Sequence, residues 1–212
     1  VLQQRLLEIA IAEFATKGLE GASTRSIAAK AGTAMSSITY HFGGKEGLYL
    51  AAADYIATQM GDDVANAVPP EGIPAGITPQ QARAMLHDLL ARFIEKMAGE
   101  RSAAYSLFIM REQMEPTEAF ERIYGGMMGK MLGVLVELIC TATGWRDATT
   151  AQVTAITLMG QIVVLRVSRA TVLKLLQRSD IDAAATTLLT RRIAANTDAI
   201  LDQLIAERQE LP

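Results

Sequence analysis

Cysteine, histidine, aromatic residues and long apolar runs are all scarce in this 212-residue chain, and each shortage removes a class of function. The single cysteine, Cys140, excludes an intramolecular disulfide, and in Leu138-Ile139-Cys140 it reads as a small buried hydrophobe rather than a redox sensor. The only histidines, His41 and His87, follow Ile38 and Ala84 at a spacing of three, so the Glu-x-x-His pairs of helical di-metal sites are missing. No Ser-His-Asp or Cys-His arrangement assembles from two histidines so far apart. Catalytic residues, a metal and a cofactor are therefore not expected. No segment alternates polar and apolar residues for long, which excludes a sheet. The longest apolar runs, 134–136 and 162–165, are cut by Glu137 and Arg166, well short of the about 20 residues that cross a bilayer. A cytoplasmic protein without a membrane partner is expected.

Half of the residues are apolar, dominated by Ala, Leu, Ile and Met, a composition suited to packed helices. Four of the six prolines fall between Pro69 and Pro79 with Gly72 and Gly76 among them, which marks a loop. Thr78-Pro79-Gln80-Gln81 then opens a helix with a capping hydroxyl, a proline in the first turn and a glutamine able to bond back. That helix should bury Met85, Leu86, Leu89, Leu90, Phe93, Ile94 and Met97 and close at Gly99. A helix over 102–114 should stop because Pro116 biases Glu115 away from helical geometry. The next should run from Pro116 to about Thr143. It contains Gly125, Gly129 and Gly133 one turn apart, costing about 1 kcal/mol each against Ala unless close helix crossing or ligand space requires them. A phosphate loop is excluded there, because Lys130 is followed by Met131 and no strand precedes it. Two long helices, over 149–177 and 182–208, finish the chain. Their stripes at Ile156, Met159, Val163 and Val167, and at Ala184, Leu188, Arg191 and Ala195, would leave an apolar patch on a monomer.

The most informative stretch is Ser23 to Tyr49, STRSIAAKAGTAMSSITYHFGGKEGLY. Ser23 precedes the periodic positions and can accept from an open amide of the first turn, so a helix starts near Thr24. Ala28 and Gly32 are small enough for a close crossing, and Gly32 tolerates the backbone conformation that ends a helix. A second helix over about 35–42 points Ile38 and Phe42 inward and leaves Ser36, Ser37, Thr39, Tyr40 and His41 mostly outward. This is the layout of a helix-turn-helix DNA reader. A preceding helix carries an apolar stripe at Leu2, Leu6, Ile9, Ala10 and Phe14, completing a three-helix head. The fold expected is all-α, about nine helices, with a helix-turn-helix head over 1–50 and a larger helical ligand-binding and dimerisation domain over 51–212.

These features in this order resemble the TetR family of bacterial transcription regulators: Phe14-Ala15-Thr16-Lys17-Gly18, Ser23-Thr24-Arg25, Ile27-Ala28, Ala31-Gly32, Tyr40-His41-Phe42 and Lys45-Glu46-Gly47-Leu48. Ala34 departs from the serine that opens the recognition helix in many members, leaving Thr33 or Ser36 as substitute caps. Thr39 departs from a common tyrosine. The resemblance implies a repressor that binds a palindromic operator in double-stranded DNA as a homodimer and is released by a small-molecule effector. Its four-helix dimer contact would come from the last two helices of each subunit. The segment Met110 to Phe120, with REQ-x-x-PT-x-AF, resembles a TetR subgroup of antibiotic-sensitivity regulators, which implies a xenobiotic, apolar or amphipathic effector. A helical adaptor that uses the head for protein contact, or a bundle enzyme, would be the alternatives.

Hydroxyls, helix-start amides and cations are the groups that hold a duplex backbone. Tyr40, His41 and Lys45 are assigned to phosphates, Arg25 to a phosphate or a guanine edge, and Thr24 to the DNA contact surface. Ser36 lies on the groove face, and Ser37 and Thr39 are placed to read bases. Residues 1–50 hold five Lys/Arg against four Glu, so the head is +1 in a chain of net charge −3; local placement must matter more than net charge. For the effector, eight of the ten methionines lie between Met85 and Met159, including Met114, Met127 and Met131. They combine with Phe93, Tyr105, Phe108, Arg111, Gln113, Trp145, Gln161 and Arg166. Arg111 and Arg166 are cations on apolar helices and need partners, either Glu112 or Glu137, or an anionic group of the ligand.

Overall fold

Hydroxyl and carboxylate side chains start four of the helices, through Ser23, Thr78, Thr117 and Asp147, and glycines end several. The structure is a computed structural model that describes residues 2–65, 72–99 and 103–210. Eleven α-helices and no strand occur among the described residues. Two compact units are formed, 1–63 with 101–130, and 64–100 with 131–212.

The first unit holds α1 (Leu2–Gly21), α2 (Thr24–Ala31), α3 (Met35–Phe42), most of α4 (Lys45–Ala65), α6 (Ala103–Met114) and α7 (Glu118–Ile123). Its core is Leu6, Ala10, Ile11 and Phe14 of α1, Ile27 and Ala28 of α2, Ile38 of α3, Leu48, Tyr49, Ala52 and Ile56 of α4, and Phe108, Ala119 and Ile123. The stripe expected on α1 is shifted: Leu2 is exposed and Ile9 half-buried, while Ile11 and Ala15 turn inward. A kink at Gly18, with φ 72° and ψ 177°, ends the regular part of α1. α6 and α7 belong to the same compact unit as the first helices, with α6 packed on α1.

The helix expected from Pro116 to Thr143 is broken. Thr117 caps α7 by accepting from the Ala119 amide, and a π-turn at Tyr124–Met128 separates α7 from α8 (Gly129–Thr143). Gly126 leaves helical geometry there at φ −75° and ψ −120°. It also approaches α4 closely, since a Cβ on Gly126 would lie 2.9 Å from that of Ala57. The close crossing therefore belongs to Gly126, whereas Gly125 and Gly133 face open space. Sequence spacing identified the glycine-rich region but not the residue that the neighbouring helix selects.

The second unit is built on α5 (Pro79–Ala98). Thr78 accepts from the Gln81 amide at 3.2 Å while Gln81 Oε1 accepts from the Thr78 amide at 2.8 Å, the reciprocal cap anticipated from Thr78-Pro79-Gln80-Gln81. Leu86, Leu89, Leu90, Ile94 and Met97 are buried with Leu135, Leu138 and Ile139 of α8, Ala155, Leu158 and Ile162 of α9 (Ala148–Val167), and Ile193, Leu201 and Leu204 of α11 (Ala183–Glu210). The long helix expected over 149–177 divides at Ser168, after which α10 (Arg169–Leu176) begins. Trp145 packs against this core and its indole N–H donates to the Leu204 carbonyl at 2.7 Å. The start of the proline-rich loop and residue 102 lie outside the described residues.

Candidate nucleic-acid interface

The paired helices form from local chemistry. Ser23 Oγ accepts from the Ser26 amide at 3.3 Å, and α2 ends where Gly32 takes φ 69° and ψ 35°, a left-handed conformation that costs an L-residue roughly 1–2 kcal/mol. The Thr33 amide then closes on the Ala28 carbonyl at 3.0 Å. At the start of α3, neither substitute cap operates. Ala34 has only a methyl group and no acceptor to offer, Thr33 Oγ1 bonds to Ser37 Oγ at 2.8 Å, and no hydroxyl caps the helix. Thr33 spends its hydroxyl on Ser37 because the two lie one turn apart.

Ile38 alone of α3 is fully buried, and Phe42 is only half-buried rather than inward. Ser36, Thr39, Tyr40 and His41 are exposed and Ser37 is half-buried; Tyr40 keeps 85% of its surface in solvent. Arg25 is exposed at the opening of α2 and Thr24 half-buried beside it. Three of the eight residues carry internal duties: Ser37 is bonded to Thr33, and His41 and Lys45 have partners of their own. The Gln3 amide donates to His41 Nδ1 at 3.1 Å, and Lys45 Nζ donates to the Glu20 carbonyl at 2.9 Å.

One buried carboxylate in the head has no counterpart in the sequence reading. Glu13 sits in the core side of α1, with Lys17 Nζ at 2.5 Å and Lys30 Nζ at 2.7 Å. The Lys30 contact ties α2 to α1, and both lysines hold the Glu13 carboxyl below its ordinary value, Lys17 first. Because the folded value is depressed, the contribution is present above the unfolded carboxylate value of about 4 and is lost as pH falls through the lower, folded one. Glu13→Gln is expected to cost about 1–2 kcal/mol at neutral pH, discounted because both lysines are half-exposed. Thermal melts from pH 7 to 3 should show the difference from wild type closing as pH falls; a constant gap would remove the ion pairs as its cause.

The effector candidates divide between the two units. Tyr105, Phe108, Arg111, Gln113, Met114 and Met127 belong to the first, and Phe93, Met131, Trp145, Gln161 and Arg166 to the second. Phe108 is core, with its ring 4.7 Å from that of Tyr49. Tyr105 lies edge-on to Tyr55 at 6.4 Å, and burial, then Tyr55, push its phenol up to about 12. Met114 is 83% exposed and Met127 half-buried. Arg111 pairs with neither Glu112 nor Glu137: its guanidinium donates to the carbonyls of Ala15 and Thr16 at 2.7 and 2.9 Å. Arg166 likewise donates to the carbonyls of Lys96, at 3.3 Å, and Gly99 at the end of α5. Both cations find open carbonyls at helix C-termini, which carry partial negative charge. Gln161 accepts from the Asn196 amide at 2.9 Å, Phe93 packs half-buried against the second unit's core, and Met131 is buried.

Glu112 itself is 2% exposed and fully engaged. It accepts from the Tyr49 hydroxyl at 2.5 Å, the Thr117 amide and hydroxyl at 3.1 and 2.8 Å, and the Phe120 amide at 3.0 Å. Burial first, then Glu112, raise the Tyr49 phenol far above its ordinary value. A groove of about 440 Å³ in the second unit is lined by Leu90, Ala91, Ile94, Ile193 and Ala194, with His87, Asp88, Thr190 and Asp198 adding polar groups. His87 Nε2 lies 2.8 Å from Asp198 Oδ1, which also takes Arg83 at 3.2 Å. None of the effector candidates lines this groove. The groove pairs α5 with α11, much later in the chain, so no local spacing in the sequence marks it.

Residues 6–52 match the family described as bacterial regulatory proteins, tetR family, and residues 82–204 match the C-terminal domain of the HTH-type transcriptional dual regulator CecR. CecR of Shigella flexneri is 32% identical over 209 residues, covering 95% of this chain and 92% of that protein. The chain belongs to the TetR family. Solved TetR-like folds agree: a TetR-family transcriptional regulator of Streptomyces coelicolor superposes with a TM-score of 0.67 at 16% identity, covering 96% of both chains. A TetR-like regulator of Rhodococcus sp. RHA1 gives 0.65 at 20% identity, covering 94% of this chain and 96% of that one.

As a TetR-family member the chain is a transcriptional regulator with a helix-turn-helix DNA-binding head, and the proteins it resembles are regulators rather than enzymes. Two of its helical stretches, Glu118–Thr143 and Ala148–Val167, reach mean hydropathy 1.5 and have the length to cross a membrane, contrary to the expectation drawn from uninterrupted runs. Averaging absorbs Glu137 and Arg166. Both stretches bury leucine and isoleucine in the second unit's core, and the first is broken by the π-turn.

Proposed function

We propose that this TetR-family regulator is a cytoplasmic repressor that binds a palindromic double-stranded operator as a homodimer and leaves it when a small apolar or amphipathic effector binds. The observation that carries the reading is α3, a helix held by Ile38 with Ser36, Thr39, Tyr40 and His41 open to solvent. Residues 1–50 supply the DNA-reading surface, with Thr24, Arg25, Ser36, Ser37, Thr39, Tyr40, His41 and Lys45 in contact with the duplex. The remainder supplies effector response and dimerisation. The groove along α5 and α11 suits an amphipathic molecule, since its floor is aliphatic and its polar groups cluster at His87 and Asp198.

Dimerisation is supported by an exposed apolar face on α9 and α11: Val153, Ile156, Val164, Val167 and Leu188 lie open to solvent, Ile156 at 70%. A two-fold contact through this face would join two heads in one dimer, as a palindromic operator requires. An effector that prefers the released arrangement by about 3 kcal/mol would weaken operator affinity roughly a hundredfold.

Selecting bound fragments from random duplexes with the full-length protein tests the reading: a palindromic consensus is expected, and no enrichment at low salt would end it. Sedimentation of Ile156→Arg should show monomers where wild type shows dimers, with weaker DNA binding in step. A dimer unaffected by this charge would move the contact off α9. A helical adaptor would show no steep dependence of DNA binding on salt.

A further inference from the structure

We propose that Arg111 and Glu112 are positioning residues for DNA reading, so that the α6–α7 corner works as part of the head although it lies inside the 82–204 segment that matches a C-terminal domain family. This rests on the reading that α3 enters an operator. The two residues are neighbours in α6, and each fixes a different head helix. Arg111 holds the Ala15 and Thr16 carbonyls of α1, at the turn just before the kink at Gly18. Its Nη1 lies 3.3 Å from where a Cβ on Gly18 would stand, so guanidinium and kink are fitted together. Beyond the kink, the Glu20 carbonyl takes Lys45, the first residue of α4.

Glu112 reaches α4 directly through Tyr49, whose ring stands edge-on to Phe14 at 4.9 Å. The other oxygen of Glu112 gathers the amides of Thr117 and Phe120 and so fixes the start of α7. A carboxylate this buried is costly unless every lone pair finds a donor, and here four donors converge on it. An apolar side chain would fill the same space without setting the direction of α4. Because Gly43 and Gly44 alone separate α3 from α4, the placement of Tyr49 is passed to the recognition helix. Arg122 of α7 adds a second tie to α4 through Asp54 at 2.7 Å.

The test measures affinity of the full-length protein for its selected palindromic duplex over a salt series, with Arg111→Ala, Arg111→Lys, Glu112→Gln and Tyr49→Phe. Arg111→Ala and Glu112→Gln are expected to weaken binding about tenfold. The slope of log affinity against log salt should be unchanged, because neither side chain touches phosphate. Arg111→Lys should recover part of the loss by donating to one carbonyl. Tyr49→Phe, which keeps the ring and loses only the hydroxyl, should weaken binding by about threefold. A slope reduced by about one per head in Arg111→Ala would make Arg111 a phosphate contact and overturn the positioning role. Affinities within a factor of two of wild type for all four would overturn it as well.

If wild type binds no duplex, the operator reading falls, and hydrogen exchange still judges the joint. Arg111→Ala should speed exchange in α1 near residues 15–20 and leave α5, α9 and α11 unchanged. Unchanged α1 would refute the joint.

Discussion

Replacing Tyr40 with alanine is expected to weaken operator binding roughly thirtyfold while leaving the melting temperature unchanged. The ring is 85% exposed, and the aromatic ring it meets is that of its sequence neighbour His41, at a centroid distance of 4.9 Å. Its removal should therefore cost the fold little. In a complex the phenol would lose one hydrogen bond per head, on the order of 1 kcal/mol, and two heads double it to about 2 kcal/mol. Because a phenol carries no charge, the salt slope should stay where it is. Arg25→Ala, by contrast, should lower both the affinity and the slope, by about two for a dimer. Fluorescence anisotropy with the selected duplex measures both quantities. A Tyr40→Ala protein that binds like wild type would take α3's exposed face out of the interface.

Phe108→Ala should produce the largest loss of stability, about 3–5 kcal/mol, the range for emptying a fully buried aromatic site. Phe108 fills space beside Tyr49, which in turn packs on Phe14, so the cavity opens in the middle of the head's core. Calorimetry should show the transition of the first unit moved down, and hydrogen exchange should place the loss in α1, α4 and α6. A role in contacting the effector makes the opposite forecast: stability retained and the effector response altered. The two outcomes are separable without knowing the effector, since stability is read on the free protein.

What the sequence disclosed was local in origin. Ser23, Gly32 and the Ile38 spacing define the paired helices within a few residues of one another, and Thr78-Pro79-Gln80-Gln81 does the same for α5. Arg111 was legible as a cation in need of a partner, but the partner proved to be the backbone of Ala15, 96 residues earlier, and backbone carbonyls leave no mark in a sequence. Glu13 carries no mark of burial in the sequence, because one of the cations that hold it, Lys30, is brought from the next helix. The methionine-rich stretch suggested one pocket, whereas Met127 and Met131 fall in different units because the chain changes unit within α8. Helix breaks at Tyr124–Met128 and Ser168 were missed for a related reason: apolar periodicity carries across a π-turn or a short kink with little disturbance.

The placement of Trp145 against Leu204 gives the molecule a built-in optical label. It is the sole tryptophan and lies in the second unit, whereas all five tyrosines, Tyr40, Tyr49, Tyr55, Tyr105 and Tyr124, lie in the first. Excitation at the red edge of the indole band, where phenols do not absorb, therefore watches the second unit alone. Unfolding of that half, or a ligand's arrival in it, becomes visible with no dye attached.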